Sequence, residues 1–132
     1  MRRIILFFSL IMFIGCSSTM TRYGYSPQRL PINADTKCNI PIKRNFSYEK
    51  NEVEILGSIK AGDSGFSVKC GEAYVLNQFQ REACALGADL VNIINESRFD
   101  LLSTCYRAKA EFLRFKDREK VRNLASDPIY IR

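Results

Sequence analysis

The sequence predicts an α+β fold: a small antiparallel β-sheet with one helix packed on a face, in the order β-β-α-β-β, stapled by disulfides. Three observations point there. Apolar and polar residues alternate over residues 53–60 and again over 106–112, the period of a half-buried strand. Between these runs Ala73, Leu76, Phe79, Ala83 and Leu86 recur at steps of three or four, the period of a helix face. Four cysteines, Cys38, Cys70, Cys84 and Cys105, fall in or beside the same segments.

Each element follows from its residues. Residues 17–36 hold Gly24, Pro27 and Pro31 and no sustained apolar period, so they read as a flexible tether. Tyr23, Tyr25, Leu30 and Ile32 are the tether residues suited to pack on the domain. Residues 38–43 alternate, but Pro41 cannot donate to a ladder, which makes this an edge strand. Val53, Ile55, Gly57 and Ile59 form the inward set of the next strand, against Glu54, Leu56, Ser58 and Lys60. Glycines and small polar residues make 61–65 a loop. The helix starts at Gly71, with Glu72 at the positive end of its dipole, and stops at Gly87, which supplies a left-handed cap.

Residues 89–96 read as a largely buried strand. Tyr106, Ala108, Ala110 and Phe112 face one way from the last strand, and Arg107, Lys109 and Glu111 the other. The long hairpin loop between them exposes Phe99, Leu101 and Leu102, a cluster suited to partner contact or to packing on the domain edge. Residues 117–125 are charged and read as a short polar helix. The domain is therefore expected over 37–116, with 117–132 a polar helix or tail.

Chemistry-bearing patterns are scarce. There is no histidine. Gly62-Asp63-Ser64-Gly65 copies the tetrapeptide around the nucleophile of trypsin-like proteases, yet a serine needs a general base, and the missing histidine makes this a glycine-rich turn. No phosphate-binding glycine loop and no Cys-x-x-Cys spacing is present. The reading is a non-enzyme with no catalytic residue, no metal and no cofactor. No basic face is interleaved with aromatics, so nucleic acid is not expected as a partner.

The N-terminus carries a different message. Arg2 and Arg3 precede residues 4–14, an apolar run broken by Ser9 alone and too short to span a bilayer. Gly15-Cys16 closes it. This resembles a bacterial lipoprotein signal with Phe13-Ile14-Gly15-Cys16 as lipobox. That likeness implies removal of residues 1–15 and attachment of palmitate-type acyl chains to Cys16. Ser17 after the cysteine resembles the outer-membrane sorting class. Loss of Arg2 and Arg3 leaves 18 Lys+Arg against 14 Asp+Glu, a net charge of +4. The expected location is the outer membrane, lipid-anchored, with the domain facing the periplasm or the cell surface.

An oxidising envelope and an even count of four remaining cysteines imply two disulfides, with three possible connectivities. Cys70 and Cys84 lie near opposite ends of one helix, about 21 Å apart at 1.5 Å per residue, beyond disulfide reach. The strand after the helix runs back antiparallel to it, and the hairpin returns beside the helix start. Cys70 then pairs with Cys105, which leaves Cys38 for Cys84.

Ile55-Leu56-Gly57-Ser58-Ile59, Gly62-Asp63-Ser64, Gly87-Ala88-Asp89-Leu90-Val91 and Cys105-Tyr106-Arg107-Ala108 resemble the RcsF-like sensory lipoproteins of the enteric Rcs envelope-stress phosphorelay. The likeness spans about residues 53–115. It implies a stapled α+β domain on a lipidated tether, and its strand-end disulfide maps onto Cys70 and Cys105. The family's other cysteine pair has no counterpart, with Asn95 or Glu96 and Glu111 at the approximate places. The expected role is non-enzymatic: a domain that meets an envelope protein, in stress sensing or otherwise. The alternative is a structural or surface-exposed lipoprotein with no signalling role.

Overall fold

The computed structural model describes residues 19–25, 39–62, 70–97, 105–117, 119–121 and 123. The fold is α+β: five strands form one sheet and a single long helix packs across one face. The elements are β1 (Met20–Tyr23), β2 (Ile42–Arg44), β3 (Val53–Ala61), α1 (Glu72–Leu86), β4 (Leu90–Ser97) and β5 (Arg107–Phe115). Their order across the sheet is β1-β3-β5-β4-β2.

The helix has the expected ends. Gly71 takes an extended N-cap conformation, and Gly87 sits at φ 66, ψ 36 with its N–H returned to Ala83 and Cys84 carbonyls. Its buried stripe is Val75, Phe79, Ala83, Ala85 and Leu86, which keeps Phe79, Ala83 and Leu86 of the expected face but not Ala73 or Leu76. Ala73 is exposed and Leu76 half-buried. At 100° per residue Ala73 stands about 120° from Phe79, whereas Val75 stands about 40° from it. The core then closes on Ile59, Val91, Ile93, Ala110 and Phe112 from the sheet.

β5 is as expected: Ala108, Ala110 and Phe112 are buried under the helix. β3 is not a simple alternation. A bulge lies between Ile55 and Gly57 in its pairing with β5. The extra residue, Leu56, turns inward and is 1% exposed, while Ile55 is 48% exposed, the reverse of the expected phase. A second bulge between Ile93 and Asn95 ends the continuous burial of β4. Beyond it Glu96 turns to the helix face.

Two further departures concern the edges. Met20–Tyr23 lies inside the span read as an irregular tether, yet it pairs antiparallel with β3, Met20 opposite Ala61 and Tyr23 opposite Ser58. Four residues are too few to register as a period. The pairing is fastened by Arg22, which meets Glu82 on the helix, and by Tyr25. That ring lies over Gly57 and meets Phe112 edge-on at 5.9 Å. Gly57 has φ +155, and a Cβ there would come within 2.6 Å of the Tyr25 ring. Gly57→Ala is expected to cost about 1–3 kcal/mol by overpacking, read as a lower urea midpoint, with most of the loss relieved in a Tyr25→Ala background. An unchanged midpoint would show that the ring is not seated there.

The other departure is β2, which pairs parallel to β4 rather than antiparallel. The chain leaving β2 crosses the sheet face away from the helix to reach β3. On the way Phe46 and Tyr48 cover a second apolar cluster of Val53, Leu90, Leu113 and Phe115. Burial of these two rings is the physical reason for the crossing. Asn92, 2% exposed, secures it by accepting from Phe46 N and donating to Phe46 O, at 2.8 and 3.1 Å. Glu119, Lys120, Val121 and Asn123 are helical, in line with the expected polar helix, and Val121 packs on the same cluster.

Candidate functional site

The expected disulfide between Cys70 and Cys105 is present, with Cα atoms 4.9 Å apart. Cys70 directly precedes the helix N-cap and Cys105 leads into β5, so the bond straps the helix start to the sheet. Tyr106 N donates to Cys70 O at 2.9 Å beside it. Cys84 is also disulfide-bonded. Its expected partner, Cys38, lies outside the described residues. The neighbouring Asn39 accepts from Gln80, one helical turn before Cys84, at 3.2 Å. Cys16, Ser64 and the contact loop of Phe99, Leu101 and Leu102 also lie outside the described residues.

Next to the strap is a polar cluster that periodicity did not reveal. Arg44 at the end of β2 points to the helix face. Its Nη2 meets Glu72 Oε1 at 2.6 Å and its Nε meets both Glu96 oxygens at 3.1 Å. The Tyr106 hydroxyl donates to Glu96 Oε2 at 2.5 Å. One guanidinium thus joins β2, the first turn of α1 and β4, and Glu96 passes the link to Tyr106, the residue before β5. The only sequence signal was charge in neighbouring segments; a bulge was needed to turn Glu96 inward.

Two phenols are held in their neutral form. Burial, and then the hydrogen bond to Glu96, pushes Tyr106 well above its ordinary value. Tyr48 donates to Glu111 Oε2 at 2.8 Å, and burial with that bond pushes it up to about 12. A folded value above the ordinary one near 10 means stabilisation that is full below pH about 10 and lost as pH rises through about 12. The thermal midpoint is therefore expected to fall across that window, with a shallower fall in Tyr48→Phe. Equal slopes for the two proteins would refute the assignment.

The far face of the sheet, at the end not covered by Phe46 and Tyr48, carries an open concavity of about 650 Å³. Lys60, Arg107 and Lys109 line it together with Tyr23, Ser58 and Asn95, and no carboxylate among the described residues lines it. Lys60 and Lys109 are direct cross-strand partners. Arg107 Nη2 donates to Ser97 Oγ at 3.2 Å. Such a surface can hold anions.

Among the described residues no group of three or more Cys, Asp or Glu is placed to hold a metal ion. No helix among them is long and apolar enough to cross a membrane. In comparisons with known proteins, no family model, no curated protein and no solved structure matches this chain.

Proposed function

We propose that this chain is a non-enzymatic envelope lipoprotein, anchored through Cys16 to the outer membrane, whose disulfide-bonded domain mediates interaction with another envelope protein. The observation that carries the reading is the run from Arg2 to Cys16: a charged start, an apolar stretch too short to span, and a Gly-Cys junction. The Cys70–Cys105 strap supports it, since such bonds persist in oxidising compartments. Acyl chains on Cys16 anchor firmly, at about 0.8 kcal/mol per buried CH₂. Envelope-stress sensing is the role suggested by the resemblance of Cys105-Tyr106-Arg107-Ala108 and its companion motifs to the Rcs sensory lipoproteins. Phe99, Leu101 and Leu102 are the proposed contact residues.

The test has two parts. Cys16→Ser should move the protein out of the membrane fraction; retention without a partner overturns the anchor. Photo-crosslinking from position 101 in intact cells should trap a specific envelope protein. Absence of an adduct there and at the other two contact positions would leave the structural lipoprotein, with no signalling role, as the better account.

A further inference from the structure

We propose that the basic end of the open sheet face docks on anionic phospholipid headgroups of the membrane that holds Cys16; this rests on the anchor reading above. Two independent features meet at this end. The first is charge. Lys60 stands directly opposite Lys109 in the pairing of β3 with β5. Like charges directly opposite are destabilising in a sheet, so the pair is not explained by folding. Arg107 lies two residues along the same strand face, about 7 Å from Lys109. Three cations thus line one concavity, and no carboxylate among the described residues lines it. Glu111, a described acid in the next row of that face, is taken by the Tyr48 hydroxyl. Arg22 meets Glu82, Arg44 meets Glu72 and Glu96, and Arg114 meets Glu54, whereas Lys60 and Lys109 meet no carboxylate among the described residues.

The second feature is chain length. Thr19 is tied to the sheet, its carbonyl accepting from Gly62 N at 2.9 Å, and Thr21 pairs with Lys60. From Cys16 to Thr19 is three residues, at most about 11 Å of extended chain. A long tether would leave the domain free to turn. A leash this short brings a membrane holding Cys16 to the same sheet end as Lys60, Lys109 and Arg107. A lysine side chain then reaches headgroups within the Debye length of about 8 Å at physiological salt. Each lysine so placed strengthens binding roughly fivefold, and the two together roughly twenty-five-fold.

The test uses the lipidated protein, purified from membranes, on vesicles of phosphatidylcholine, with or without phosphatidylglycerol. Flotation with neutral vesicles reports the anchor alone. Lysine acetylation read by mass spectrometry reports the face. Lys60 and Lys109 should react several-fold more slowly on anionic than on neutral vesicles, with the difference erased by high salt. Lys50 and Lys116, at the other end of the sheet, should not change. Lys109→Glu should abolish the protection of Lys60 while keeping or raising the melting temperature, because it replaces a repulsive cross-strand pair with an attractive one. Flotation with equal reactivity on both vesicles overturns the docking face and spares the anchor. No flotation on neutral vesicles, but protection on anionic ones, does the opposite. Neither result together overturns both.

Discussion

Phe112→Ala should destabilise the domain by about 3–5 kcal/mol, the range for removing a fully buried aromatic ring and leaving a cavity. Phe112 is 0% exposed and lies in the central strand of the sheet, paired with Gly57 on one side and Val91 on the other. Its ring is the floor on which α1 and Tyr25 both rest. A domain of this size has about 5–15 kcal/mol in total, so the variant would sit near the edge of folding at 37 °C. Urea titration should give a much lower midpoint with little change in slope. A loss below about 1 kcal/mol would mean that the site collapses freely, and that the close contact among Gly57, Tyr25 and Phe112 is not a fixed part of the core.

The second large effect belongs to the strap. Cys70 and Cys105 are 35 residues apart in sequence, and opening a loop of that size costs about 3–4 kcal/mol on chain-entropy grounds. The double variant Cys70→Ser/Cys105→Ser should lose that amount in a urea titration. Loss should be local as well. Without the strap the first turn of α1 is held to the sheet by Arg44 through Glu72 and Glu96, an ion pair that is partly exposed and correspondingly weak. Hydrogen exchange should therefore speed up first at residues 71–75, before the sheet. Uniform loosening of the whole domain would contradict the view that the bond acts at the helix start.

Much of this was legible. The caps at Gly71 and Gly87, the alternation from Tyr106 to Phe112 and the impossibility of a Cys70–Cys84 bond are local facts, and local facts survive folding. What failed had a common cause. Leu56 and Ile94 are single residues inserted at bulges, and a bulge reverses which face every neighbour takes without any mark in composition. Met20–Tyr23 and Ile42–Arg44 are edge strands of four and three residues. Their pairing is decided by partners remote in sequence, Ala61 to Ser58 for one and Val91 to Ile93 for the other. The polar cluster around Arg44 was hidden for the same reason, since Glu72 and Glu96 come to it from separate elements. The cationic face depends on cross-strand register, which places Lys60 against Lys109 across 49 positions of chain.

The short distance between Cys16 and β1 makes the fate of that cysteine the centre of the account. Cys84 is disulfide-bonded, and Cys70 and Cys105 are joined to each other. Its partner is therefore Cys16 or Cys38. Peptide mapping without reduction, on protein extracted from membranes, decides between them and reads the anchor in one step. The account predicts a peptide linking Cys38 to Cys84 and a mature N-terminus at Cys16 carrying acyl chains. A peptide linking Cys16 to Cys84, or an unmodified chain that still retains residues 1–15, would contradict it.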